Sequence, residues 1–206
     1  MEYEEYHSLL QHLNLQYLIR AQQYQERFPR LSQLAEQIIR DGRIEGWDWY
    51  RQAKLLESHF LAPGQYKYTL DFRFERDETI DPIEDFIANH KQGHCEYFAS
   101  ALALMLRSLG IPSRLVVGYH GGEYNPLGHY FQVRQSDAHA WVEAYMRPQD
   151  LVAMGIDNPA EYPTGGWLRL DPTPSTSAMI VQDDQESFFD SISSMFDYAQ
   201  FLWNDY

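Results

Sequence analysis

Cysteine is almost absent from this sequence: Cys95 is the only one in 206 residues. A single thiol cannot form an internal disulfide, which excludes a disulfide-stapled scaffold and a cysteine-based zinc ribbon. No apolar run approaches the roughly 18 residues of a transmembrane helix, and the first residues lack the basic and apolar regions of a signal peptide. The sequence as given therefore predicts a soluble chain.

Basic residues are also scarce, with 16 Lys and Arg against 30 Asp and Glu and a formal net charge of −14. This balance argues against nucleic acid as a partner, because phosphate backbones require clustered cations. It argues equally against docking on anionic lipid through a basic patch. Hydrophobic residues make up 44% of the chain, which is ample for the core of one domain.

The stretch Gly93-His94-Cys95-Glu96-Tyr97 places that single thiol after a glycine turn and before a strongly apolar helical pattern. We expect the turn to expose the thiol and the helix N-terminus to favour its thiolate. Three other readings remain open. The residue could be an inert buried thiol, a metal ligand together with His90 and His94, or a redox-sensing thiol.

Hydrophobic periodicity predicts helices first and strands afterwards, which is typical of an α+β fold with segregated elements. Apolar residues at helical spacing follow Cys95 as far as Gly110 and predict a buried central helix. Other helices are predicted over 5–27, 29–41 and 47–60, with a short one beginning at 82. Strands are predicted over 66–70, 114–119, 130–134, 139–145 and 167–170.

Cysteine catalysis needs a thiolate, an imidazole that accepts and returns a proton, and a group that orients the imidazole. Cys95 begins the central helix, His139 lies at the entry to a strand, and Asp171 closes another strand. A helix N-terminus facing two neighbouring strands can bring such side chains together. These three residues are therefore the candidates for a catalytic site.

Three blocks carry a specific resemblance: GHCEYFASALALMLRSLGIPSRLVVGY, SDAHAWVEAY and GWLRLDPTPS. Together they resemble the transglutaminase-like superfamily of papain-type folds, and especially bacterial domains on the outer face of membrane proteins. The resemblance implies a central helix that bears the nucleophile and packs on an antiparallel sheet. It also implies a triad of nucleophile Cys95, general base and acid His139, and orienting Asp171, with helix N–H groups in the oxyanion hole.

Neighbouring residues are candidates for substrate binding, namely His94, Tyr97 and Trp141. For Glu143 two alternatives are open. It lies on the same strand face as Trp141 and near the site, or it forms a surface ion pair. Tyr66 and Tyr68, just upstream, are candidates for the second oxyanion donor.

The 20 residues 147–166 depart from the tight turn that usually joins the last two strands in this family. We interpret this insertion as a loop, with at most one helical turn, that shapes the substrate cleft. It also leaves room for Asp150 or Asp157 to approach the site in place of Asp171.

The resemblance implies acyl transfer through a thioester on carboxamide or peptide bonds, by a transglutaminase, deamidase or peptidase. The competing hypothesis is a catalytically silent binding or scaffold domain. A protein or peptide with glutamine or other amide groups is the expected substrate, and an amine is a second expected partner. No cofactor and no metal are expected.

We expect a helical extension over 1–65, a catalytic core over 66–175, and an acidic, aromatic tail over 176–206. The composition of that tail suits a membrane interface, although a helix packed on the domain explains it as well. Together with the resemblance, it predicts an extracytoplasmic domain of a membrane-anchored protein.

Overall fold

The computed structural model describes residues 20–44, 46, 48–71 and 75–174. Residues 20–27 are helical, in agreement with the last part of the helix predicted over 5–27. The remainder of that prediction and the predicted tail over 176–206 lie outside the described residues. Within the described part, no helix combines the length and the apolar character needed to cross a bilayer.

Two helices of equal length open the core. Helix α1 (Pro29–Asp41) begins with a proline in its first turn, and helix α2 (Trp49–Leu61) is capped by Asp48. The cap explains why α2 begins slightly later than predicted. The two helices pack closely where α1 ends, because a Cβ atom on Gly42 would clash with Cδ2 of Leu55 on α2.

The segment before the cysteine contains structure that the sequence pattern did not predict. Strand β1 (Lys67–Tyr68) pairs in parallel with strand β2 (Gln92–Gly93). Between them, helix α3 (Pro82–Asp85) continues directly into a π-helical turn, Phe86–His90. Only the first strand and the short helix at 82 were predicted, because a two-residue strand and one wide turn leave no periodic signal.

Helix α4 (Cys95–Ser108) is the predicted central helix. Its side chains are buried on several sides, and those of Phe98, Leu102 and Met105 are fully buried. Helices α1 and α2 both pack against it. The helix ends before Gly110, whose φ of 79° only glycine adopts without strain.

A three-stranded sheet completes this core. Strands β3 (Ser113–Tyr119), β6 (Ala138–Met146) and β7 (Gly166–Leu170) lie in the order β3-β6-β7. The last two pair antiparallel, with Val142 opposite Leu170. Alternate residues of β6 are buried in the same core cluster as α4. The predicted α+β fold, a central helix packed on an antiparallel sheet, is therefore confirmed.

A short hairpin separates β3 from β6. Strand β4 (Glu123–Asn125) pairs antiparallel with strand β5 (Tyr130–Gln132). The strand pattern predicted β5 but not β4, which was expected to be part of the loop between two predicted strands. The three residues of β4 lie between a Gly-Gly pair and a proline, too short a stretch to show alternation.

The insertion between β6 and β7 contains two 3₁₀ turns rather than one, Pro148–Asp150 and Pro159–Glu161. The Arg147 side chain donates to both carboxylate oxygens of Asp150, over 2.7 and 2.8 Å. The first turn is therefore fixed to the end of β6 by a buried ion pair.

The chain forms two compact units. Among the described residues, the larger unit comprises those up to Val116 and the range Ala140–Pro174, and it contains all four helices α1–α4. The smaller unit comprises Val117–His139. It contains the β4–β5 hairpin and the adjoining ends of β3 and β6.

Candidate active site

Cys95 is the first residue of α4 and belongs to the hydrophobic core, with only 8% of its surface exposed. The expectation of an exposed thiol was therefore wrong. The predicted glycine turn is absent, because Gly93 lies in strand β2, where a Cβ atom on it would approach the Tyr97 side chain to 3.2 Å. A thiol at a helix N-terminus with little water around it feels the helix dipole with little screening.

His94 caps the helix that carries the nucleophile candidate. Its Nδ1 accepts a hydrogen bond from the backbone N–H of Glu96 at 3.3 Å, and its carbonyl accepts from the N–H of Tyr97 at 3.0 Å. The His94 ring also meets the Tyr97 ring edge to face, with centroids 5.1 Å apart. Two of the three predicted substrate-binding residues thus lie together at the start of α4, and His94 has a capping role that was not predicted.

Of the two tyrosines proposed upstream, Tyr66 is a core residue. Its hydroxyl lies 3.3 Å from Nε2 of His59, and its ring packs against Phe60 and Phe98. Burial raises the pKa of Tyr66 to about 12. Burial also lowers the pKa of His59, and the positive charge of Lys91 lowers it further.

Asp171 directly follows strand β7 and lies in the larger unit. Its contacts with Glu57 and Thr173 lie within the same unit. Its backbone N–H donates to Oε1 of Glu57 on α2 at 2.8 Å, and its own Oδ1 accepts from the N–H of Thr173 at 3.1 Å. Glu57 is 8% exposed as a residue, and its carboxylate is paired with Lys54. Glu57 was not predicted from the sequence, since nothing in a helical pattern signals a partner 114 residues away.

His139 is the last residue of the smaller unit. Its ring lies against that of His120, with centroids 5.3 Å apart and planes tilted by 37°. The backbone N–H of His120 donates to the carbonyl of Asp137 at 2.8 Å, which fixes the end of β3 beside the start of β6. His120 was missed because it lies at the edge of a strand without a motif of its own.

Trp141 lies two residues beyond His139 on β6, and the Arg169 guanidinium lies 4.5 Å from its ring centroid. Glu143 accepts from Nε of Arg114 at 2.7 Å, so of its two predicted alternatives the ion pair is present. Arg114 in turn stacks over Trp167 at 4.3 Å. On this face of the sheet, arginine guanidinium groups therefore stack on aromatic rings.

The residues of the other hypotheses, namely a metal site at His90 and a substitute for Asp171 in the insertion, have other surroundings. His90 approaches the buried carboxylate of Asp85, with Nε2 and Oδ2 3.2 Å apart, which gives it a neighbour other than the thiol. Asp150 is held by Arg147, as described above, and Asp157 is exposed. Neither aspartate of the insertion gains support as a substitute for Asp171.

Comparison with known proteins identifies the class of the domain. Residues 33–172 match the family model of the transglutaminase-like superfamily, so the chain belongs to that superfamily. The matched range includes Cys95, His139 and Asp171. The resemblance predicted from the three sequence blocks is confirmed.

Proteins with similar sequences occur in both bacteria and animals. A protein-glutamine gamma-glutamyltransferase of Pseudomonas aeruginosa is 44% identical over 93 residues, which are 45% of this chain and 12% of the relative. Protein-glutamine gamma-glutamyltransferase 2 of Bos taurus is 38% identical over 98 residues, 41% of this chain and 13% of that protein. The chain thus spans only about an eighth of the length of these relatives.

Among solved structures, the periplasmic domain of TgpA from Pseudomonas aeruginosa is similar, with a TM-score of 0.51 and 34% identity. The similarity covers 70% of this chain and 42% of the TgpA domain. The chain therefore shares the fold of a domain described as periplasmic.

Proposed function

We propose that this chain is a cysteine-dependent acyl-transfer domain that acts on carboxamide groups of proteins or peptides. The observation that carries the proposal is the position of Cys95, the first residue of the buried helix of a transglutaminase-like core. The name of the Pseudomonas aeruginosa relative, protein-glutamine gamma-glutamyltransferase, supports glutamine as the acyl donor.

In the proposed reaction, His139 takes the thiol proton of Cys95, and Asp171 orients the imidazole. The thiolate forms a bond to the carboxamide carbon, and the π-electron pair of the carbonyl moves onto its oxygen. The carbonyl then re-forms, the C–N bond breaks, and the imidazolium returns its proton to the departing ammonia. A thioester remains on Cys95.

An amine or water then attacks the thioester with His139 as base, and the Cys95 sulfur leaves. An amine gives a cross-link, and water gives deamidation or, on a peptide bond, cleavage. The buried position of Cys95 supports acyl transfer to an amine, because limited access of water slows hydrolysis of the thioester. The insertion 147–166 is proposed to shape the cleft, and His94, Tyr97 and Trp141 to contact substrate.

The proposal extends to the cellular setting. A periplasmic or other extracytoplasmic domain of a membrane-anchored parent protein is supported by the likeness to the periplasmic domain of TgpA. The expected substrates there are cell-envelope proteins or peptides. The division into a helical extension over 1–65, a core over 66–175 and a tail is part of the same proposal.

The test is mass spectrometry of a glutamine-containing peptide incubated with the chain, with and without a primary amine. Incorporation of the amine identifies a transglutaminase, a gain of about 1 Da identifies a deamidase, and shorter products identify a peptidase. Each product should disappear in the Cys95→Ala variant. An unchanged peptide under all conditions would favour the silent binding domain instead.

A further inference from the structure

A cavity of about 210 Å³ lies at the C-terminal end of helix α4, beside the turn that leads into strand β3. Its polar side chains are those of Arg20, Tyr24 and Arg107, and the turn 110–113 completes its wall. All of these residues belong to the larger unit. Along the 14 residues of α4, this α4–β3 cavity is about 20 Å from Cys95. It is therefore separate from the candidate active site.

The Arg107 guanidinium is held in a fixed orientation at the cavity. Its Nε and one terminal nitrogen donate to the carbonyl of Ser113 at 3.1 and 2.9 Å, and the other terminal nitrogen donates to the Tyr24 hydroxyl at 3.4 Å. The group also stacks over the Tyr24 ring, 5.5 Å from its centroid. A guanidinium has five N–H donors, and the described residues use three of them. Two N–H groups of a preorganised arginine therefore remain for a ligand.

Two more groups at the cavity are able to donate. The Tyr24 hydroxyl accepts the bond from Arg107, so its own proton is available to another acceptor. Arg20 is exposed, and no carboxylate among the described residues pairs with its guanidinium or with that of Arg107. In a chain with a net charge of −14, these two arginines form a local positive site.

Carbonyl groups at the C-terminal end of α4 have donors of their own. The Ser108 carbonyl accepts from Nε2 of Gln25 at 2.9 Å, and the Arg107 carbonyl accepts from the N–H of Gly110 at 3.0 Å. The end of a helix still carries about half a negative charge, which opposes an anion. The two guanidinium groups carry two positive charges, because arginine keeps its proton in proteins. The local charge therefore favours an anion.

The volume of the cavity limits the anion to a small one. Sites for drug-sized ligands measure about 300–1,000 Å³, whereas 210 Å³ corresponds to about seven water molecules of about 30 Å³ each. A phosphate group fits this volume, carries a charge of about −1.5 to −2 at neutral pH, and matches the fork of a guanidinium. A carboxylate matches the fork too, but it carries a single charge against two arginines.

We propose that the α4–β3 cavity is a binding site for a phosphate group, supplied either by inorganic phosphate or by a small phosphate monoester. Arg107 and Arg20 share the phosphate oxygens, and the Tyr24 hydroxyl donates to one of them. Binding makes and breaks no covalent bond. It does not involve Cys95, so it stands independently of the proposed acyl transfer.

The test is a titration of the full chain at constant ionic strength, followed by amide NMR spectra. Inorganic phosphate and glycerol 3-phosphate are titrated separately, and the tighter of the two identifies the source of the phosphate group. Saturable shifts should appear at the N–H groups of Gly110, Ile111 and Ser113, which line the cavity. Acetate should bind at least about tenfold more weakly, because it carries less charge.

The decisive variant is Arg20→Gln, because it removes one guanidinium and no hydrogen bond of the described structure. It should weaken phosphate binding at least about tenfold. Arg107→Lys keeps the charge but loses the fork, and it should weaken binding to a similar extent. The matched control is Arg27→Gln, which removes the same charge from the same helical segment, outside the cavity, and should stay within about twofold.

Thermal unfolding verifies that each variant folds, and if Arg107→Lys does not fold, Arg20→Gln decides alone. Absent shifts, or shifts that spread over the surface without saturating, overturn the proposal. An equal loss of affinity in Arg20→Gln and Arg27→Gln also overturns it, because the effect would then belong to net charge. Acetate binding as tightly as phosphate overturns the assignment to phosphate. Cys95→Ala should bind phosphate as the wild-type chain does, whether or not the chain turns over a glutamine peptide.

Discussion

Glu57 holds the backbone of Asp171: Oε1 of the glutamate accepts the aspartate N–H at 2.8 Å, across 114 residues of sequence. The contact joins helix α2 to the end of strand β7. The carboxylate of a buried glutamate makes a strong acceptor for a backbone N–H, because little water competes for it. The position of Asp171 therefore depends on a helix that precedes the cysteine.

Replacing Glu57 by leucine should destabilise the chain by roughly 1–3 kcal/mol, because the Asp171 N–H loses its acceptor in a half-buried site. Glu57→Gln keeps an acceptor oxygen and should recover most of the stability. Urea unfolding measures both effects. The matched control is Lys54→Met, which removes the half-exposed partner of Glu57 and should cost less than about 1 kcal/mol.

The same variants test whether the position of Asp171 matters for turnover. If it does, Glu57→Leu lowers kcat for a glutamine peptide about tenfold or more with little change in KM, and Glu57→Gln restores it. Equal kcat values in Glu57→Leu and the wild-type chain would show that the Asp171 backbone needs no such support.

His94 should behave first as a helix cap. Removing the ring in His94→Ala leaves the Glu96 N–H without its acceptor and should destabilise the chain by about 1 kcal/mol. His94→Asn offers another acceptor at the cap and should restore the stability. A contribution of the imidazole to substrate binding would appear separately, as a raised KM in both variants. No loss of stability in His94→Ala would remove the capping role.

Acid stability should depend on His59. Its folded-state pKa lies below the ordinary value of 6.5, first because of burial and then because of Lys91. The unfolded chain therefore binds a proton at a higher pH than the folded chain does, and stability falls as the pH drops below about 6.5. The stability that depends on neutral His59 is fully present above about pH 6.5 and is lost as the pH falls below it. Urea unfolding at a series of pH values should show a shallower acid loss in His59→Gln, and identical slopes would contradict the assignment.

Local sequence features predicted the elements whose signals are periodic. The apolar repeat after Cys95 gave helix α4, and strict alternation from His139 gave most of β6. Contacts between distant residues left no such signal. The pairing of Tyr68 with Gly93 and the bond from Asp171 to Glu57 depend on how whole elements pack.

The environment of the thiol shows the same limit. Gly93 was expected to form a turn that exposes the next residues, but it belongs to strand β2 and lies close to the Tyr97 side chain. Cys95, two residues further on, is buried in the hydrophobic core. Family resemblance supplied what periodicity could not, namely that the central helix and the last strands belong to one transglutaminase-like core.

The central claim is that Cys95 is a nucleophile made reactive by His139. The most direct measurement is the rate of Cys95 alkylation by iodoacetamide as a function of pH, in the wild-type chain and in His139→Ala. We expect the wild-type rate at about pH 6 to remain a large fraction of that at about pH 9, and the acid rate to fall at least about tenfold in the variant. Two superimposed profiles, both rising only near about pH 8.5 as for a free thiol, would contradict the claim.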